Sequence, residues 1–257
     1  MRALKLPTLR LIPFNCYSAS FNMAADEYLL EYDDPVIRFY GWKNPSLSFG
    51  KSNFNPIGLN PEILNDPSVD KVRRLSGGKT VLHQFELTYA FACHSDLFPP
   101  STLETYRLIS QPLANALINY GLAPRMKKTG KLKSNSLICF KEISSYELAI
   151  GAKKIVGSAQ YRRRKHFMQH GSILLKIDWD FWKTTWCIPR NSDQLEKRMT
   201  SFNDELGRFP DELELADTIQ KEYASFFGTR LNLHDFSDSE MTRIDELRGK
   251  YAWRGFE

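Results

Sequence analysis

Helical periodicity appears first at residues 20–32. Phe21, Ala24, Ala25, Tyr28, Leu29 and Tyr32 recur every three to four residues and line one face. Asp34-Pro35 stops that helix. Apolar runs at 36–42 and 46–50 read as short strands about the turn Lys43-Asn44-Pro45. Asn60-Pro61 has the form of an N-cap followed by a proline at the first helical position, opening a short helix to about Leu64. Residues 69–75 and 87–93 are further strand candidates, and the first runs into Ser76-Gly77-Gly78.

Ser101-Thr102-Leu103-Glu104 has capping-box spacing. The helix it opens is predicted to reach Tyr120, stop at Gly121 and bend at Pro112. Residues 125–135 are basic and read as a loop. Residues 145–150 and 153–160 read as a hairpin joined at Gly151-Ala152, and 167–177 as a further strand. Residues 211–227 are periodic and end at Gly228. Ser237 and Glu240 form a second capping box, for a helix to about Gly249. No repeat or low-complexity linker interrupts the chain. Strands and helices mix without strict βαβ alternation, so the expected class is α+β. One domain is expected over 1–257, with 200–257 a helical, acidic region packed on it.

Composition narrows the class. The chain has 257 residues, 42% hydrophobic and 25% charged. That excludes a disordered chain, a collagenous fibre and a disulfide scaffold. The net charge of +5 is unevenly spread. Residues 191–257 hold 9 Lys/Arg against 15 Asp/Glu, and residues 1–190 hold 26 against 15. A positive face steers nucleic acid, an acidic carrier protein or a phosphate ligand. A solvated surface without a partner fits the same charge. No helix-turn-helix, RRM or zinc signature is present, so no nucleic-acid partner is expected. Cys16, Cys93, Cys139 and Cys187 stand far apart with no C-x-x-C pair. Free thiols in a reducing cytoplasm are expected, with no structural zinc. The N-terminus lacks an apolar signal core, and no run of 18 apolar residues suggests a membrane span.

Four stretches could carry chemistry. Arg73-Arg74-Leu75-Ser76-Gly77-Gly78-Lys79-Thr80 ends like a P-loop, but Arg73 stands where the Walker pattern needs its first glycine. Its glycines allow close backbone approach to a ligand, and Arg74 and Lys79 offer donors to an anion. A tight turn with exposed basic residues is the other reading. In Lys153–Gln160, strict alternation would put Lys154, Val156 and Ser158 on one face. A lysine there either polarises a developing oxyanion or guards a sheet edge. Gln169-His170-Gly171-Ser172 puts a histidine beside a glycine, marking a ligand approach or a satisfied core histidine. Cys139 follows Arg125, Lys127, Lys128, Lys131 and Lys133, whose charge favours a thiolate; a lone cysteine is otherwise a small hydrophobe.

Together these stretches resemble one family. Phe21–Asp26, Ile37–Trp42 and Pro45–Gly50 resemble the N-terminal part of lipoate–protein ligases. Arg73-Arg74-x-Ser76-Gly77-Gly78 with His83 resembles their ligand loop. Lys154-Ile155-x-Gly157-Ser158-Ala159-Gln160 and Gln169-His170-Gly171-Ser172 resemble their next two signatures. The resemblance covers about residues 10–180 and implies the biotin/lipoate ligase fold, with a central, largely antiparallel sheet flanked by helices. ATP-dependent ligases usually carry a third glycine where this chain has Lys79, and they usually need an accessory C-terminal domain or partner subunit. The octanoyltransferase branch is similar at Val81-Leu82-His83, Cys139-Phe140, Tyr146-Glu147-Leu148, Gly151 and Lys154.

That branch implies an octanoyltransferase of lipoate biosynthesis. The donor would be an octanoyl thioester on the phosphopantetheine of acyl carrier protein, with no metal and no bound cofactor. Cys139 would form an acyl-thioester and Lys154 would polarise the carbonyl. Arg74, Ser76, Gly77, Gly78, His83, Gly157, Ser158, Ala159 and His170 would bind substrate. The acceptors would be lipoyl-domain proteins, namely glycine cleavage H protein and the 2-oxoacid dehydrogenase E2 subunits. The general base stays open between His83 and His170. The alternatives are an ATP-dependent lipoate ligase and an amidotransferase that moves octanoyl between lipoyl-domain proteins.

Overall fold

The computed structural model describes residues 4–52, 58–126 and 147–255. Cys139, Phe140 and Tyr146 lie outside the described residues, as does most of the basic stretch 125–135.

An eight-stranded sheet forms the centre, in the order β11-β1-β2-β6-β10-β9-β8-β7. Its strands are β1 (Thr8–Tyr17), β2 (Val36–Trp42), β6 (Glu86–His94), β7 (Arg125–Met126), β8 (Leu148–Ile150), β9 (Lys153–Arg163), β10 (His166–Leu174) and β11 (Arg230–Leu233). The β11–β1 and β1–β2 pairings are parallel and the other five antiparallel. The sheet is therefore mixed and largely antiparallel. A second sheet, β4-β3-β5, joins β3 (Ser46–Phe49), β4 (Asp70–Arg73) and β5 (Val81–His83).

The helices divide between the two faces. On one, α3 (Thr102–Asn119) and α6 (Glu212–Phe227) pack together over Leu87, Phe91, Val156, Phe167 and Ile173. On the other, α1 (Ala19–Tyr28) packs with α7 (Asp238–Arg248) around Ala24, Leu29, Ile244 and Leu247. The second sheet builds a third cluster with α2 (Pro61–Asn65) and α4 (Trp179–Thr185); α5 (Phe202–Leu206) precedes α6. No helix among the described residues is long and apolar enough to cross a membrane.

The caps read at Asn60, Ser101 and Ser237 stand where the sequence placed them. Each accepts a backbone N–H of the following turn, as does Asp211 before α6, and Ser237 with Glu240 completes a reciprocal box. Helix α3 is continuous through Pro112.

Four strands escaped the sequence reading. Pro7 and Pro13 hid β1. Pro13 is tolerated because the β1–β2 register shifts between Ile12 and Asn15, so its missing N–H breaks no regular ladder. Strand β11 shows that the region after residue 200 also adds an edge to the sheet. Strand β5 is only three residues long. Arg125–Met126, read as loop, pairs with β8.

A bulge corrects the reading of β9. Val156 pairs with Leu148 but Lys154 with Ala149, so Ile155 has no opposite residue. Ile155 and Val156 both enter the core under α3 and α6. Lys154 is thereby turned to the opposite face from Val156 and Ser158, onto the face of Gly157 and Ala159.

Candidate active site

On the α1 side of the sheet, a small cavity opens between β2, β6, β9, β10 and the second sheet. Met23, Tyr40, Trp42, Val81 and Ala159 give it an apolar lining. Polar side chains also line it, and nearly all are bonded inside the protein.

Arg74 organises the loop after β4. Its Nη1 donates to the Ser48 carbonyl at 2.7 Å and to Ser48 Oγ at 3.2 Å. Its Nη2 donates to the carbonyls of Gly77 (3.0 Å) and Lys79 (2.6 Å), and its Nε to Ser76 Oγ (3.2 Å). The sequence reading expected Arg74 to offer donors to an anion. In the structure its guanidinium holds the 74–79 loop. Gly50 makes that loop possible, because a Cβ there would stand 2.0 Å from the Gly78 carbonyl oxygen.

Two parallel hydrogen-bond chains leave Arg74. Ser76 Oγ lies 2.6 Å from His170 Nε2, and His170 Nδ1 lies 2.8 Å from Asp26 Oδ2. Asp26 also accepts from Tyr40 Oη (3.0 Å) and pairs with Arg38 (3.3 Å). In the second chain Ser48 Oγ lies 2.7 Å from His83 Nε2, and His83 Nδ1 lies 2.7 Å from Glu86 Oε1. That oxygen also accepts from Thr88 Oγ1 (2.6 Å) and Ser172 Oγ (2.7 Å). Trp42 stacks on His83 at 3.9 Å and donates to Thr88.

The carboxylates assign the tautomers. Glu86 and Asp26 only accept, so each neutral histidine carries its hydrogen on Nδ1 and leaves Nε2 to accept from the serine hydroxyl. Both histidines then carry hydrogen on Nδ1 and donate it to a carboxylate. The sequence reading left the general base open between His83 and His170. Both rings have both nitrogens engaged, so neither stands ready to take a substrate proton in this arrangement.

The expected binding residues separate into layers. Arg74, His83, Gly157, Ser158, Ala159 and His170 line the cavity. Ser76 lies behind it, fully buried against His170. Gly77 and Gly78 shape the loop, with Gly78 at φ +97°. Ser158 reaches its hydroxyl across Gly171 to Tyr89 Oη, at 2.8 Å. Gly171 is a glycine because β9 and Tyr89 approach it: a Cβ would meet Gly157 O at 2.5 Å. Its close neighbour is protein, where the sequence suggested a ligand.

Lys154 lies three residues before Gly157, about 10 Å along β9. Its ammonium pairs with Glu147 at 2.7 Å, and both side chains are buried. Backbone bonds to Arg198 and Thr200 bracket it.

Sequence reasoning missed Asp26, Arg38, Ser48, Glu86 and Ser172 as site residues. A signal was present for Arg38: a charge inside the apolar run Val36–Trp42 needs a buried partner. Glu86 also lines a second, more polar hollow with Cys16, Lys43, Gln84 and Glu212, and its Oε2 has no protein partner.

The family model for the lipoyl protein ligase A/B catalytic domain matches residues 18–224. The chain belongs to that family. It is 34% identical to octanoyltransferase LipM of Bacillus subtilis (strain 168) over 269 residues, covering 95% of this chain and 96% of the relative. It is also 34% identical to octanoyltransferase LipM of Carboxydothermus hydrogenoformans, covering 97% and 98%. Among solved structures it is similar to lipoate-protein ligase A bound with ATP, with a TM-score of 0.78 and 19% identity over 95% of each chain. The bi-partite lipoate protein ligase of Thermoplasma acidophilum gives 0.76 and 19% over 95% and 93%. These two likenesses confirm the fold. Family and relatives together make the chain an acyltransferase.

Proposed function

We propose that the chain is an octanoyltransferase of lipoate assembly. It takes an octanoyl group from the thioester of acyl carrier protein and delivers it to the lysine of a lipoyl-domain protein. The reading is carried by near-complete coverage of relatives named octanoyltransferase LipM. The narrow apolar cavity supports it, because an unbranched acyl chain needs apolar walls and no polar partner.

Cys139 is the proposed nucleophile, on its Cys-Phe context and its place before Glu147 and Lys154. Its thiolate attacks the donor thioester, pantetheine thiol leaves, and octanoyl rests on sulfur. The acceptor amine then displaces Cys139 and forms the amide. Lys154 supplies the positive charge facing the oxyanion in both steps.

The test is intact mass spectrometry after mixing with octanoyl carrier protein in the absence of ATP. One octanoyl should be gained, and lost in Cys139→Ala. Transfer that survives undiminished in Cys139→Ala excludes the covalent route. Lipoylation that needs ATP and free lipoate, without use of the carrier thioester, selects the ligase.

A further inference from the structure

We infer that Trp253 is a positioning residue for the cavity: from behind the second sheet it fixes the strand that carries the Arg74 loop. The segment after α7 grips two elements that line the cavity. These are α1, which contributes Met23, and β3, which contributes Ser48.

The grip on α1 is polar. Residues 249–251 form a 3-10 turn after α7. Tyr251 is buried, and its Oη donates to Glu27 Oε2 at 2.9 Å. Lys250 Nζ pairs with Glu27 Oε1 at 3.1 Å, and Arg163, the last residue of β9, reaches the same oxygen at 3.3 Å. Glu27 follows Asp26, the carboxylate that holds His170 and Arg38. Burial and the Glu27 charge both push the Tyr251 phenol up, so it stays a neutral donor at neutral pH.

The grip on β3 is apolar. Two residues on, Trp253 stacks on Phe49, with ring centroids 4.9 Å apart and planes 26° apart. Successive residues of a strand face opposite sides. Ser48 faces the cavity, where its hydroxyl meets His83 and Arg74. Phe49 therefore points out of the back of the sheet. There it joins Trp182, Trp186 and Met199 in the cluster that Trp253 packs against.

The Phe49 backbone is part of the loop's frame. Its carbonyl accepts the Arg74 N–H at 2.9 Å, and the next residue, Gly50, lies against Gly78. The Lys51 N–H then donates to the Ser76 carbonyl at 2.9 Å. A shift of Phe49 is passed to both bonds, and through Ser76 to His170. The side-chain bonds from Arg74 to Ser48, Ser76, Gly77 and Lys79 tie the loop to β3. The grip of Tyr251 and Trp253 ties β3 to α1.

The experiment reads the loop in the full-length protein, first without substrate. Hydrogen exchange is followed by NMR at the Lys51 and Arg74 amides and along β6. A stacked aromatic pair shifts an equilibrium by about three- to tenfold, so Trp253→Ala should speed exchange at Lys51 and Arg74 by that factor. The β6 amides should keep their wild-type rates. Trp253→Phe keeps a ring against Phe49 and should restore slow exchange. With octanoyl carrier protein as donor, Trp253→Ala should raise KM by a similar factor and leave kcat within about twofold of wild type. That arm rests on the octanoyltransferase reading above, whereas the exchange arm does not. Wild-type exchange at Lys51 and Arg74 in Trp253→Ala overturns the proposal. So does an equal acceleration along β6, the mark of a merely structural residue, and so does a loss confined to kcat. A wild type that takes no octanoyl from carrier protein fails that reading alone, and exchange then decides this one. Should Trp253→Ala fail to fold, Trp253→Leu replaces it, and wild-type exchange at Lys51 and Arg74 in that variant overturns the proposal.

Discussion

Replacing Gly50 by alanine tests whether the Arg74 loop is held by close backbone contact. The new Cβ would stand 2.0 Å from the Gly78 oxygen, 2.8 Å from its carbonyl carbon and 3.1 Å from the Gly77 carbonyl carbon. A relaxed carbon–oxygen contact is about 3.3 Å, so the loop must retreat by about 1.3 Å. That shift carries the Gly77 carbonyl out of reach of Arg74 Nη2, now 3.0 Å away. It also strains the neighbouring bond from Lys51 to the Ser76 carbonyl (2.9 Å). Overpacking costs about 1–3 kcal/mol, and losing one bond to a charged donor about 1.5–3 kcal/mol. The two are alternative responses to one clash, so about 2–3 kcal/mol is expected. For a chain of this size that lowers Tm by about 4–12 °C. Urea and thermal unfolding measure it, with Gly77→Ala as control. A Cβ at Gly77 meets nothing within 4 Å, so that variant should stay within about 0.5 kcal/mol of wild type. A Gly50→Ala protein melting within about 1 °C of wild type refutes the loop argument.

Asp26→Ala leaves the Arg38 guanidinium buried without its carboxylate and should cost about 3–5 kcal/mol in urea unfolding; a loss near zero removes Asp26 as the anchor. Arg10 grips Glu240 with two bonds, of 2.7 and 2.9 Å, and holds that carboxyl below its ordinary pKa. The stability so gained is present above the unfolded value of about 4.3 and disappears as pH falls through the lower folded value. Glu240→Gln should therefore cost about 1 kcal/mol at pH 7, with the gap to wild type closing in acid; a gap that widens in acid reverses the sign. Burial pushes the Cys93 thiol up, and it lies in the core while Cys16 and Cys187 are exposed. Peptide mapping after iodoacetamide should find Cys93 unlabelled until urea is added, and native labelling there contradicts its burial. Lys154→Ala should lower kcat severely, whereas His83→Ala should act mainly on KM for the donor; the reverse pattern exchanges the two roles.

Local chemistry was legible in the sequence and long-range pairing was not. The N-caps Asn60, Ser101 and Ser237 declare themselves within four residues, and each caps its helix. Strand β2 declares itself by an apolar run that Arg38 alone interrupts with a charge. Strands β1 and β11 depend on each other across more than 200 residues, and neither carries a pattern that announces a parallel edge. Alternation failed at Lys154 because one unpaired residue, Ile155, reverses every side chain before it. The site divides the same way. His83 and His170 stand out as residue types, but their partners Glu86 and Asp26 look like ordinary acids until the sheet brings them within 2.8 Å.

The saturation of the cavity's polar groups follows from what it is proposed to hold. An acyl chain has no donor or acceptor. When it enters, it strips water from every side chain it covers and returns nothing. A serine, histidine or arginine that relied on that water would oppose binding by about 1–3 kcal/mol each. The two chains from Arg74 through serine and histidine to carboxylate remove that opposition in advance, because the arginine, serine and histidine members already have partners inside the protein. These residues therefore make poor acids or bases, since a proton gained or lost would break the chain that makes them safe to cover.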